Sequence, residues 1–203
     1  SSANITTLKS NANNPSLQHI LSVQSQIDML SSTLAEYLKD IPAAKEAFAT
    51  GNFGRALNST YRLIASGLNV PAYKITLGNF DTHTNHLSRH KPLLQSLAQG
   101  IASLRKNLQH IGMWDEVVVV TYSEFGRRLK ENANKGTDHG AASVQLVTGG
   151  KVKGGFYGEY PSLTNLDERG DLIYNTDFRE VYSIIRNNWW NLGEEQTGKL
   201  ALI

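Results

Sequence analysis

The chain has 203 residues, enough for one domain with a substantial core and a helical appendage. Its 40% hydrophobic and 19% charged residues are ordinary for a globular protein, and 20 basic against 18 acidic residues leave a net charge of +2, which gives no electrostatic reason to expect a nucleic-acid partner. The lack of cysteine excludes disulfides and thiolate metal sites, and no apolar run approaches the roughly 20 residues of a membrane span.

Residues 1–15 are rich in Ser, Asn and Thr and read as a loose lead-in. Ser16 is suited to cap a long helix through about Lys39, because Ile20, Val23, Ile27, Leu30, Leu34 and Tyr37 repeat at alternating steps of three and four. Ala43 to Thr50 and Phe53 to Ser66 read as further helices, closed by Gly51 and Gly67. Residues 16–67 therefore form a helical region, and 68–203 an α/β domain. In that domain Tyr73 to Leu77 reads as a strand. A helix follows, with Leu87, His90, Leu94, Leu97, Ile101, Leu104 and Leu108 on one stripe. Val117 to Thr121 holds four consecutive valines, which suits a strand covered on both faces of a parallel sheet. Residues 126–137 read as a polar surface loop and Ser143 to Thr148 as a third strand. Asp177-Phe-Arg-Glu180 resembles a capping box that opens a helix from Phe178 to about Trp190, and the tail after Gly193 reads as surface. The fold class expected is α/β, a mainly parallel sheet built from 72–77, 116–121 and 143–148 and flanked by helices, with an N-terminal helical region.

The candidate chemistry lies at the ends of the three expected strands. Asp81, His83, His86 and His90 follow the first, Glu124 ends the second, and Asp138 and His139 precede the third. Without thiolates, carboxylate oxygen and imidazole nitrogen are what hold a divalent ion. Asp81, His83, His90, Glu124, Asp138 and His139 supply that set, and His86, one position off the stripe, is the weakest ligand candidate. Each residue alone has a plainer role: His90 as a hydrogen-bonded core histidine, Asp81 as a helix cap, Glu124 as an ion-pair partner of Arg127 or Arg128, Asp138-His139 as turn chemistry. A Ser123–His139–Asp triad is disfavoured, because Tyr122-Ser-Glu-Phe-Gly126 lacks the first glycine of a nucleophile elbow. Gly149 to Gly155 is not a P-loop.

The ordered motifs Gly78-Asn-Phe-Asp-Thr-His83 with His90, Trp114-Asp-Glu-Val-Val-Val-Val-Thr-Tyr-Ser-Glu-Phe-Gly-Arg127, Gly136-Thr-Asp-His-Gly140, Gly149-Gly-Lys-Val-Lys-Gly-Gly155 and Thr176-Asp-Phe-Arg179 resemble the family called domain of unknown function 1501. That family resembles the alkaline phosphatase and sulfatase superfamily. The resemblance implies an alkaline-phosphatase-like fold and metal-dependent hydrolysis of phosphate or sulfate esters on small-molecule or polymer substrates. It implies Asp81 and His83 as ligands from one loop and His139 as a later histidine ligand. The cofactor expected is a divalent metal, zinc first, with manganese, magnesium or calcium as alternatives. Phe125 stands where the superfamily places a histidine after the acidic residue, which departs from a two-zinc pattern. The family's early Arg-Gly-Gly-x-Asp-Gly segment does not occur, so the chain is expected to be the C-terminal part of a longer protein and to leave the nucleophile unidentified. Family members often carry an export signal, which implies a periplasmic or secreted location. The alternative reading is a non-catalytic, exported binding or scaffold protein that keeps the fold.

Overall fold

The structure, a computed structural model, describes residues 14–193 and 200–203. Most of the expected lead-in, 1–13, and most of the tail, 194–199, lie outside the described residues. The chain divides into two compact units, one made of the residues up to Ala43 with Arg62–Val70, the other of Ala44–Tyr61 with Pro71–Ile203.

In the first unit, α1 spans Pro15–Leu38. Its cap is Asn14, two residues before the expected Ser16: Asn14 Oδ1 accepts from Ser16 N at 2.9 Å and Leu17 N at 3.4 Å, and Pro15 begins the helix where its missing N–H costs nothing. At the other end the Arg62 guanidinium donates to the Leu38 carbonyl, one of the acceptors a helix C-terminus leaves over. Ile20, Val23, Ile27, Leu30, Leu34 and Tyr37 are all exposed, and only Leu38 of the helix is buried.

The second unit begins with an irregular segment where Ala43 to Thr50 reads as a helix in the sequence. The Asn107 side chain takes the place of helical hydrogen bonds there, accepting from Glu46 N and donating to Glu46 O, both at 2.9 Å. A single buried amide thus satisfies both the N–H and the C=O of one residue in an irregular segment. Helix α2, Asn52–Ala65, and helix α3, His86–His110, meet where Gly100 leaves room: a Cβ there would lie 2.6 Å from the Phe53 ring and 2.7 Å from Leu57. The buried side of α3 passes through Leu93, Leu97, Gly100, Leu104, Asn107 and Leu108, while Leu87 and Leu94 of the expected stripe are exposed.

The parallel sheet is not formed, and the alkaline-phosphatase-like α/β architecture is thereby corrected. Among the described residues the ladders are two antiparallel pairs. Strand β1, Val118–Val120, pairs with β4, Val147–Gly149, in the register Val118↔Gly149, Val119↔Thr148, Val120↔Val147. Strand β2, Gly126–Glu131, pairs with β3, Thr137–Gly140, with Arg127 opposite His139. A parallel neighbour requires a crossover of a dozen or more residues, usually a helix, that carries the chain back to its starting edge. Between β1 and β4 the chain makes only the β2–β3 hairpin, so it returns antiparallel. Val117 to Val120 are consequently half-buried instead of covered on both faces. Tyr73, Ile75 and Leu77 are half-buried between exposed Lys74 and Thr76, a strand-like alternation, but 73–77 joins no ladder. The expected loop 126–137 is mostly this hairpin. Its turn is closed by Asn132 N to Gly136 O at 2.8 Å and has Lys135 at φ 56°, the three-residue turn that needs one left-handed position.

Helix α4, Phe178–Ile184, continues as a π turn, Ile185–Trp189. Val181 and Ile184 pack with Leu202, Val120 and Val147, so the end of the chain, expected on the surface, closes this core at Leu202. Asp177 caps α4 by accepting from Arg179 N at 2.9 Å, and Arg179 Nε lies 2.9 and 3.0 Å from the same carboxylate. The Arg179 side chain, then its backbone N–H, hold Asp177 down to about 2. A depressed carboxylate contributes its stability above the unfolded-state value, about 3.9, and loses it as pH falls through the folded value. Denaturant melts of wild type and Asp177→Ala should therefore differ from pH 5 upward and converge as pH falls toward 2. No helix among the described residues is long and apolar enough to cross a membrane.

Candidate metal centre

The site is built where the loop before α3 meets the β2–β3 hairpin. The loop is bracketed by two left-handed asparagines, Asn79 at φ 70° and Asn85 at φ 46°, a conformation asparagine tolerates better than most residues. At its middle Thr82 is fully buried, with its N–H on the Phe80 carbonyl at 2.9 Å and its Oγ1 2.9 Å from His86 Nδ1. The hairpin turn then caps α3. Asn85 N donates to Asn134 O at 3.1 Å and His86 N to Lys135 O at 2.8 Å, so backbone carbonyls do what a capping side chain does elsewhere. Arg127, on β2, reaches across to the Phe80 and Thr137 carbonyls and to Thr82 Oγ1. Gly136 is the point of closest approach. A Cβ there would lie 2.2 Å from both the carbonyl carbon and the carbonyl oxygen of His83.

This clamp sets three side chains on one point. Asp81 Oδ1 is 3.0 Å from His83 Nε2 and 2.8 Å from His139 Nε2, and the three groups offer ligand atoms all within 4.8 Å of one another. Two ligands of one zinc ion lie up to about twice a 2.0–2.2 Å bond apart, so the Asp81 contacts are already short enough, and an ion entering the group would replace these hydrogen bonds. Asp138 lies behind His83, its Oδ1 3.3 Å from His83 Nδ1 and 3.3 Å from Asn132 Nδ2. The Phe125 ring lies flat on His139 at 3.8 Å between centroids, and the His83 and His139 rings are 4.9 Å apart. Both histidine side chains remain 45% exposed, which leaves one side of the group open to a further ligand.

Both carboxylates suit a cation. Asp81 is lowered from the ordinary aspartate value by its hydrogen bond with His139 and the nearby His83. Asp138 is lowered by the Asn132 amide and then by His83.

Four of the six residues singled out in the sequence thus meet here: Asp81, His83 and His139 as a group, Asp138 through His83. His90 does not. Its Nε2 faces the Phe80 carbonyl at 3.1 Å, its ring lies 3.7 Å from that of His86 at a tilt of 30°, and burial lowers its pKa, so it supports the loop from beneath. Glu124 is exposed in the bend before β2, where its charge is felt by Lys74, and it is not in the three-residue group. Sequence reasoning missed Asn132, Arg127 and Thr82. The signal for Asn132 was its place in Asn-Ala-Asn-Lys-Gly136, a turn pattern once the flanking residues are seen as strands.

The profile of DUF1501, described as a protein of unknown function, matches residues 7–178. The chain belongs to the DUF1501 family. The DUF1501 match includes the whole of the clamp: loop, hairpin and all six candidate residues. No curated protein and no solved structure matches the chain.

Proposed function

We propose that this DUF1501 chain holds a divalent metal ion, zinc before manganese, magnesium or calcium, through Asp81, His83 and His139, and that the site serves hydrolysis of phosphate or sulfate esters. The observation that carries the metal reading is the convergence of one ionised carboxylate and two imidazoles from segments more than fifty residues apart in sequence. One carboxylate with two imidazoles is a donor set found in catalytic zinc sites, where a fourth position stays open. When bound, the ion would supply Lewis acidity toward an ester oxygen. The chain's residues hold and orient. Asp81 supplies the negative charge, His83 and His139 supply Nε2, and Phe125 shields one face of the His139 ring from water. Asp138 takes the far nitrogen of His83, the role a carboxylate commonly has behind a ligating histidine.

A second reading, a non-catalytic exported binding or scaffold protein, is favoured by two observations: Phe125 covers His139, and Glu124 is not in the three-residue group. A panel of phosphate and sulfate monoesters, assayed with and without a chelator, separates the two. Hydrolysis lost on chelation and restored by zinc is the expected result. Chelator-insensitive turnover would remove the metal mechanism. Zinc binding with no turnover across zinc, manganese, magnesium and calcium would leave the binding role.

A further inference from the structure

We infer that Arg127 is the positioning residue of this centre: its planar guanidinium bridges the loop that carries Asp81 to the strand that carries His139 and so sets the spacing of the two. The inference rests on the metal reading above for the meaning of that spacing, not for the bridge itself.

The contacts of Arg127 enclose Asp81. Nη2 donates to the Phe80 carbonyl and lies 3.4 Å from Thr82 Oγ1, and Phe80 and Thr82 are the two neighbours of Asp81 in the chain. The other terminal nitrogen, Nη1, donates to the Thr137 carbonyl on β3, two residues before His139. Arg127 itself stands opposite His139 in the β2–β3 ladder. Its guanidinium carbon also lies 5.0 Å from the centre of the Phe125 ring, which lies flat on His139. One side chain therefore reaches the surroundings of both ligands. An arginine suits this because its nitrogens are fixed in one plane and can hold acceptors on two segments at a set separation, whereas a lysine ammonium is a single point on a flexible stem. The arrangement leaves Nε buried without a partner, which costs stability. Lysine would bring the same charge, but not both bonds.

Arg127→Lys is the discriminating variant, since it keeps the charge and removes the fork. In the zinc-free wild type, NMR should show Overhauser contacts between the ring protons of His83 and His139, whose centroids are 4.9 Å apart. In Arg127→Lys those contacts should be lost while cross-strand contacts within β2–β3 persist, which separates release of the loop from unfolding of the hairpin. Zinc titration by calorimetry should show affinity reduced about 10–100-fold, the usual effect of losing an outer partner of a metal ligand, with Arg127→Lys binding no more tightly than Arg127→Ala. His83–His139 contacts that persist in Arg127→Lys would overturn the assignment, whatever the zinc affinity. If the variant loses the hairpin contacts as well, the wild type decides. Bonds to the Phe80 and Thr137 carbonyls stop the guanidinium rotating, so the Nη protons of Arg127 should give separate signals, and one averaged signal overturns the assignment. If the wild-type chain takes up no zinc, the metal reading fails, whereas the ring contacts in zinc-free protein still decide whether Arg127 joins loop and hairpin.

Discussion

His139→Ala should lower zinc affinity by more than about 100-fold, because the loss of an outer partner alone costs about 10–100-fold and His139 supplies a ligand atom itself. The imidazole touches Asp81 at 2.8 Å and covers Phe125. It is nearly half exposed and fills no part of the buried core, so the variant should keep its fold. Calorimetric titration of the variant against wild type reads the first effect, and circular dichroism checks the second. Equal zinc affinity in the two proteins would take His139 out of the site and leave only Asp81 and His83, too few to hold an ion tightly.

A large effect on stability is expected at Gly136. In Gly136→Ala the new Cβ meets the His83 carbonyl carbon and oxygen at 2.2 Å and Thr84 N at 2.6 Å. These are backbone atoms, so no rotamer change relieves the overlap, and loop and hairpin must separate. Overpacking of this kind costs about 1–3 kcal/mol, and the upper end applies because the clamp's hydrogen bonds, from Asn132 to His83 and from Asn85 and His86 to the turn, are strained with it. Zinc affinity should fall in parallel. Gly78→Ala is the matched control, since a Cβ there meets nothing within 4 Å, and its stability should stay within about 0.5 kcal/mol of wild type. Equal melting curves for the two variants would show that the close approach at Gly136 does not hold the clamp together.

Local pattern reaches some of this structure and fails at the rest for definable reasons. The helices at Pro15–Leu38, Asn52–Ala65 and His86–His110 are legible from three-and-four spacing and their breakers. The buried side of α3 is not, because it includes Gly100 and Asn107, one chosen for its lack of a side chain and the other for a buried amide. The valine run is legible as a strand. Its partner and direction are not, since four valines suit a covered parallel strand as well as an antiparallel pair. The hairpin was hidden because Arg127, Arg128, Lys130 and Glu131 carry no apolar alternation, and the strands are held by a turn and by contacts from another segment. Asp81, His83 and His139 stand out because the chain has so few histidines. Glu124 and His90 stand out equally by type, and only three-dimensional geometry separates them from the group.

The clamp also has a topological meaning. Asp81 and His139 are 58 positions apart, and α3 and β1 lie on the loop between them. Closing a flexible loop of that length has an entropic cost that grows only slowly with length but must be met before the contacts across it give any return. The hairpin and α3, whose contacts are local, can form early. The meeting of loop and hairpin belongs to a later step, when distant parts of the chain dock. An ion shared by Asp81 and His139 would then act as a removable staple. It would bind only the docked state, deepen the native basin as its concentration rises, and slow the reopening of this junction relative to the ends of the chain.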